Sequence, residues 1–458
     1  MNDKLFPGDP TTREYARAIY AEVAELPIIS PHGHVDPNLL LANKPFGNPA
    51  ELFIYFDHYV TRLLHAEGID LDLITKSAKD AKQAWKLLCT NWHLFAGTNS
   101  GYWLTYIFEN IFDIHDLPSS ENSDVLYEKI QARLYEPDFL PRNLIKKFKI
   151  SFLATTDDPL DNLEAHKKLN SDPNFDTKIA PTFRPDKYLD PRISGWANNV
   201  KELLKISGNQ PATYEGFINS LQIRRKFFIE AGAVSADHGV EEPYTVILNR
   251  EVAENLFLKA INGSISNLDA REFAGHMLSE MARMSCEDGL VMTLHAGVVR
   301  NHHFGTFAQH GPDTGHDLPI KSEFVRNLQP LLNAYGNHEN LHLILFTLDD
   351  TLWGREIAPL ASFYRSVFIG APWWFLDSPK SIIKFREATV EIAGFYRGSG
   401  FIDDTRAFLS IPARHEMARR VDAAYLANLV SEGRISLIEA KKISRDLVTS
   451  IPKRAFKL

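Results

Sequence analysis

From Lys149 onward the chain repeats one rhythm, a short apolar run closed by turn residues and followed by an amphipathic stretch of helical period. That alternation is the βα pattern of a parallel sheet. The runs fall at 150–154 (ISFLA), 178–182 (KIAPT), 233–236 (AVSA), 290–294 (LVMTL), 342–346 (HLILF), 366–369 (SVFI) and 400–403 (GFID). An eighth, Leu26-Pro27-Ile28-Ile29, lies far upstream and runs into Pro31-His32-Gly33-His34. Helices are expected between them, at 212–230, 269–285, 321–334 and 379–392. Eight strands with intervening helices predict an α/β fold, a closed (β/α)8 TIM-like barrel with its active site at the carboxyl ends of the strands. An open doubly wound sheet is the alternative.

Two parts of the chain stand outside this rhythm. Residues 46–148 hold no convincing strand, and ELFIYFDHYVTRLLHAEGI, AKQAWKLLCTNWHLFAG and GYWLTYIFENIFDI all show helical periodicity heavy in aromatics. This is a helical insertion after strand one, its aromatic stripes expected to be core. The barrel then comprises 1–45 and 149–458. A helix over 11–25, capped at Thr11, leads into the first strand, and helices over 412–431 and 436–449 close the chain. Arg414, Arg419 and Arg420 on the first of these are read as packing residues.

A barrel should gather binding and catalytic groups just after its strands. His32 and His34 follow strand one, with side chains on the same side because the strand period is two. Thr155 to Asp158, Arg184 and Asp186, and Asp237-His238 follow strands two to four. His295, Thr347 and Asp349, Trp373-Trp374, and Asp404 with Arg406 follow strands five to eight. His32, His34 and Asp404 are the simplest three-ligand set for one divalent metal, with a position left open for water or substrate oxygens. Asp404 could instead serve beside the metal as a base. His295 is a further ligand or a hydrogen-bonding group for substrate, and His238 either joins it or orders a loop with Asp237. Arg184 and Arg406 suit a carboxylate, against the plainer reading of salt bridges to Asp186 and Asp403.

Composition narrows the classes. A net charge of −8 gives no reason to expect nucleic acid or an anionic membrane as partner. Two distant cysteines, Cys89 and Cys286, make a disulfide framework or thiolate site unexpected. Without a signal-like start or a long apolar run the expected location is cytoplasmic. No glycine-rich phosphate loop follows any strand, so no nucleotide cofactor is expected.

With these residues assembled, the sequence resembles the uronate (glucuronate) isomerases, a divergent branch of the amidohydrolase superfamily. The resemblance runs nearly end to end, through PHGH at 31–34, DHY at 57–59, ATTDDP at 154–159, RPD at 184–186 and DHG at 237–239. It continues through LHAG at 294–297 with Arg300-Asn301, GPDTG at 311–315, PWWF at 372–375 and DDTRAFLS at 403–410. It implies an enzyme that interconverts D-glucuronate with D-fructuronate, and D-galacturonate with D-tagaturonate. It places the metal at His32, His34 and Asp404, and substrate contacts at His58, Tyr59, Arg184, His295, Trp373 and Arg406, with His238 and Arg300 as further binding candidates. The insertion would then close over the barrel mouth. Hydrolases of the parent superfamily carry a lysine or glutamate after strand four and a histidine after strand six; the residues here suit one metal rather than a bridged pair.

The implied chemistry moves a proton between adjacent carbons through an enediolate. Asp404 is the candidate base between carbons 2 and 1, with Arg406 stabilising the developing oxyanion and Tyr59 or His58 handling the oxygen protons. Arg184 would grip the far carboxylate and Trp373 shape the wall. A mononuclear metal-dependent hydrolase or decarboxylase is the alternative. Zinc is the first expectation for the metal, from a set that manganese, cobalt or iron also fit. A small hexuronate is the expected partner, and a homo-oligomer the expected assembly.

Overall fold

The computed structural model describes residues 3–458. Seven parallel strands follow one another around the fold in chain order. They are Ile28–Ser30, Ile150–Ala154, Lys178–Ala180 continued after Pro181 by Thr182–Phe183, Ser235–Val240, Val291–Ala296, Leu343–Thr347 and Val367–Ile369. A parallel bridge between Asp157 and Phe183 carries strand two onto the continuation of strand three. The eighth segment is joined at both edges, by the bridge Ile369–Gly398 on one side and by the His34 amide donating to the Thr405 carbonyl (3.0 Å) on the other. These contacts close the ring.

The expected strand over 400–403 is not a regular ladder. Gly400 and Asp404 both have positive φ (77° and 42°), and two left-handed residues so close together break the extended repeat. Strand four also lies later than expected, at Ser235–Val240, so Asp237 and His238 sit within it rather than beyond its end. The helix expected over 321–334 is reduced to Gln329–Tyr335, entered through Pro330 in its first turn. The N-terminal helix, Pro10–Tyr20, is capped by the Asp9 carboxylate on the Thr12 amide (2.8 Å) rather than by Thr11.

Alternation along the strands sorts their side chains into two layers. Val291, Ile344, Phe346 and Phe368 belong to one apolar cluster, which also holds most of the apolar residues of the helical insertion. Met292, Leu294, Leu343 and Leu345 belong to another and pack against the outer helices through Phe273, Met277 and Met281. Residues 46–148 form helices joined by loops, with no strand, and bury Phe53, Trp85, Phe108, Phe112 and Phe139 among themselves. The Trp85 indole donates to the Ser123 carbonyl (2.8 Å), satisfying its only polar atom.

The long helix Ser410–Ser431 is buried on almost every side and packs along the N-terminal helix. Arg419 and Arg420 are packing residues, as expected. Arg419 donates to the carbonyls of Val23 and Pro27 (both 3.0 Å), and Arg420 to Glu416 (2.6 Å). Among the described residues no helix is long and apolar enough to cross a membrane. Cys89 and Cys286 are buried free thiols.

Candidate active site

Strand one ends at Ser30, and the extended run beyond it carries His32 and His34 toward the same side. Gly33 between them sits close to its neighbours: a Cβ there would stand a tight 3.3 Å from the Asp403 carboxylate and in ordinary contact, at 3.6 Å, with the Ala154 carbonyl. Asp404 reaches the same point from the eighth segment, held in its left-handed turn from three directions. Arg414 donates to the Asp403 carbonyl (3.0 Å), His415 pairs with the Asp403 carboxylate (3.0 Å), and the Thr405 carbonyl accepts from His34.

The Asp404 Oδ1 atom lies 2.9 Å from His34 Nε2 and 3.4 Å from His32 Nε2. It is buried yet has no partner in hydrogen-bond geometry. Close approach without an aligned hydrogen bond is the pattern of lone pairs converging on a shared centre. Ligand atoms on a tetrahedral ion of zinc's size stand about 3.3 Å apart, so the three residues fit one divalent ion. Burial alone would raise the Asp404 carboxyl, but the two imidazoles hold it well below the usual carboxylate range.

A second group adjoins the first. Asp237, His295 and His32 also bring ligand-type atoms within 4.8 Å of one another. Asp237 is already engaged, accepting from Thr293 Oγ1 and His295 Nδ1 (both 2.7 Å) and facing Arg184 Nη1 at 3.3 Å. A guanidinium at that distance occupies the electrostatic place of a second cation, which favours a single-ion centre.

Above the ligands lies a cavity of about 230 Å³, lined by His34, His58, Tyr59, Arg184, Arg300, Trp373, Trp374, Asp404, Arg406 and Arg414. A larger cleft of about 900 Å³ lies between the insertion and the helix Ser410–Ser431, lined by residues such as Trp92, Tyr102 and Tyr106, without the candidate metal-ligand groups. His58 and Tyr59 open the helix His58–Ala66, where the Asp57 carboxylate caps the Tyr59 amide (2.9 Å). Burial pushes the His58 imidazole down to about 3, with Arg406 adding to the effect, so it is neutral. Burial raises the Tyr59 phenol and keeps it a hydroxyl. Tyr59 packs edge-on against Trp103 (5.3 Å).

The sequence-predicted residues fall into three groups. His32, His34, Asp404, His58, Tyr59, Arg184, Trp373, Arg300 and Arg406 meet around the mouth. His295 joins them at the wall, its ring stacked on His32 (4.7 Å) and meeting Trp373 edge-on (4.6 Å). His238 is the correction: being inside strand four, it alternates to the face opposite Asp237, outside the cavity, with Nδ1 3.0 Å from the Thr293 carbonyl. The arginines are paired as well, Arg184 with Asp186 (2.7 Å), Arg406 with Asp313 (2.7 Å) and Arg300 with Asp317 (2.9 Å). Asp403, the partner expected for Arg406, turns to His415 instead.

Asp237, expected at the mouth after strand four but given no role of its own there, is the member of the Asp237-His238 pair that faces the site. Arg414 was not anticipated in the site, because a guanidinium on a buried terminal helix is indistinguishable in sequence from a packing residue. Its charge stands 3.6 Å over the Trp103 ring and pairs with Asp377 (3.0 Å).

A family model for glucuronate isomerase matches residues 10–456. The chain belongs to the glucuronate isomerase family. It is 44% identical over 460 residues to a uronate isomerase of Corynebacterium efficiens, covering 100% of this chain and 98% of that one. A crystal structure of glucuronate isomerase from Caulobacter crescentus superposes with a TM-score of 0.97 at 41% identity, covering 100% of this chain and 96% of that one. A uronate isomerase from Thermotoga maritima gives 0.94 at 29% identity, covering 100% and 99%. Membership of the glucuronate isomerase family accounts for the α/β barrel and agrees with a site that gathers metal ligands and guanidinium groups at one mouth.

Proposed function

We infer that the protein is an aldose-ketose isomerase that interconverts D-glucuronate with D-fructuronate, and D-galacturonate with D-tagaturonate. The observation that carries this is the convergence of His32, His34 and Asp404 beneath a cavity rimmed by arginines, in a chain matched along nearly its whole length by the family model. The hydrolase alternative is disfavoured by the guanidinium of Arg184 standing beside Asp237.

The residue roles follow from position and protonation. His32, His34 and Asp404 would hold one divalent ion, zinc first, whose chemistry is Lewis acidity toward the sugar's carbonyl and adjacent hydroxyl oxygens. Asp404, ionised and beside both histidines, carries the proton from carbon 2 to carbon 1. Arg406 donates to the oxygen on which negative charge develops. Tyr59, a hydroxyl throughout, donates to a sugar oxygen, and neutral His58 orients it by stacking at 4.7 Å. Arg184 and Arg300 reach the cavity and hold the far carboxylate, while Trp373 forms its wall. The insertion, which supplies His58 and Tyr59, acts as a fixed lid on the barrel of residues 1–45 and 149–458.

A cytoplasmic location is proposed with it, supported by two buried free thiols. A homo-oligomer is supported by exposed apolar residues on the insertion, Leu117, Val125 and Tyr135. Light scattering tests the latter.

The experiment is isotope exchange. Metal-loaded protein incubated with glucuronate in deuterated water should form ketose with deuterium at the exchanging carbon, and a chelator should stop it. Release of a cleaved product without deuterium uptake would sink the isomerase in favour of a hydrolase or decarboxylase. Elemental analysis of the purified protein identifies the ion.

A further inference from the structure

Residues 300–317 form a strap that leaves the barrel after strand five, crosses the mouth and returns. Its base is pinched shut. Val298–Val299 pairs antiparallel with Leu318–Pro319, the His302 amide donates to the His316 carbonyl (3.0 Å), and Asp317 accepts from Arg300 (2.9 Å) and from the Asn301 amide (2.7 Å). The helix Phe304–His310 within it buries none of its residues, so the strap is held at its base and at its tip. The tip is Gly311 to Gly315, and Pro312, Asp313 and Gly315 line the cavity.

The tip has a demanding backbone. Gly311, at φ 76° and ψ −166°, lies in a region open essentially to glycine alone. Gly315 has φ 99°, and a Cβ there would stand 2.6 Å from Arg62 Cβ and 3.2 Å from the His58 carbonyl. The tip therefore rests directly on the helix that carries His58 and Tyr59. Between the two glycines Asp313 is itself left-handed, at φ 65°, a conformation uncommon for a residue with a side chain. This geometry brings its Oδ2 to 2.7 Å from Arg406 Nη1, and among the described residues no other carboxylate pairs with Arg406. The two side chains are 37% and 40% exposed, and ion pairs so open to water add little to stability. Backbone strain kept for a bond of little structural value points to a functional use.

We propose that Asp313 is a positioning residue that fixes the Arg406 guanidinium over the cavity, with the seat of the strap on the His58–Ala66 helix setting where it points. The assignment rests on the isomerase reading, in which Arg406 stabilises the developing oxyanion, and adds to it the residue that aims that charge. An arginine side chain reaching into solvent has many rotamers to lose before it can donate at a set position. Pairing one N–H with Asp313 removes that freedom before the sugar arrives and leaves the other donors of the fork unused.

Kinetics of the metal-loaded enzyme with glucuronate test this. Asparagine fills the same space and tolerates the same left-handed backbone, so Asp313→Asn removes the charge and little else. It should lower kcat about 10-fold with KM within about twofold of the parent, because the weakened interaction belongs to the transition state. Metal content and melting temperature should stay unchanged. In an Arg406→Met background the same change should have no further effect, since Asp313 acts through Arg406. Additive losses would show Asp313 touching the sugar itself, and a lowered KM would show a latch that competes with substrate; either result, or a parental kcat, would overturn the proposal. Nitrogen-15 relaxation at Arg406 Nε in sugar-free protein reads the positioning without turnover. The side chain should be ordered in the wild type and mobile in Asp313→Asn, and equal order in both would also overturn it. If the wild type orders Arg406 in this way yet does not isomerise uronates, the functional reading falls while the positioning by Asp313 stands.

Discussion

Replacing Arg414 by methionine probes the support beneath the site. The guanidinium makes three hydrogen bonds, to Ser410 Oγ (3.2 Å), Asp377 Oδ2 (3.0 Å) and the Asp403 carbonyl (3.0 Å), and lies 3.6 Å over Trp103. Methionine keeps the packing against the ring and removes all three bonds together with the charge. Removing one partner of a buried ion pair costs about 3–5 kcal/mol, because the other charge is stranded. Burial already pushes the Asp377 carboxyl up to about 7, with Arg414 holding it down. Without Arg414 it rises further and takes a proton near neutral pH, which keeps the cost toward the lower figure at pH 6.

The sign of the pH dependence follows. Between its ordinary 3.8 and its raised folded value, Asp377 binds more proton in the folded chain than in the unfolded one. Its contribution to stability therefore falls as pH rises through that window. In the parent the window closes near 7. In Arg414→Met it extends upward, so the deficit should grow between pH 7 and 8, by up to about 1.4 kcal/mol per unit. For a chain of 458 residues 1 kcal/mol moves the melting temperature by about 1 °C. Scanning calorimetry should thus find a drop of about 3 °C at pH 6 and more at pH 8. The variant should also load metal less tightly, since the turn that presents Asp404 loses its anchor at Asp403. A variant melting within about 1 °C of the parent at both pH values would refute the reasoning.

Other changes act more locally. Asp404→Asn should leave a folded protein whose exchange at carbon 2 is lost and whose kcat falls about 10³-fold; undiminished exchange would remove Asp404 from the base role. Tyr59→Phe keeps the ring against Trp103 and removes only the hydroxyl, so kcat should fall about 100-fold with an unchanged melting temperature. A Cβ at Gly370 would stand 2.4 Å from Phe346 Cδ1 and 2.7 Å from the Leu345 carbonyl. Gly370→Ala should therefore destabilise by about 1–3 kcal/mol and displace the ring on which His295 is stacked, seen as a lower melting temperature and reduced kcat together.

Much of the site was legible because it lies where strand periodicity puts it. His32 and His34 share a side by alternation, and His295 and Asp404 follow apolar runs whose character does not depend on their neighbours. His58 and Tyr59 were not legible from pattern alone, since a histidine and a tyrosine in an aromatic helical stretch read as core; only the resemblance set them apart. His238 was misplaced for a simple reason. Strand four runs on past its apolar residues through Asp237, His238 and Gly239, stabilised by pairing with strand five, and no apolar pattern marks that extension.

By itself the sequence determined what is written in periods and local chemistry: a parallel α/β barrel with a helical insertion, a His-X-His pair aimed one way, and a family signature from end to end. The tertiary structure decided which charges meet. Arg184 chose both Asp186 and Asp237, Arg406 chose Asp313 rather than Asp403, and Arg414 moved from a packing helix to the floor of the cavity. Apolar burial follows a short repeat that can be read along the chain, whereas an ion pair depends on positions brought together from distant segments, and those distances exist only after the barrel has closed.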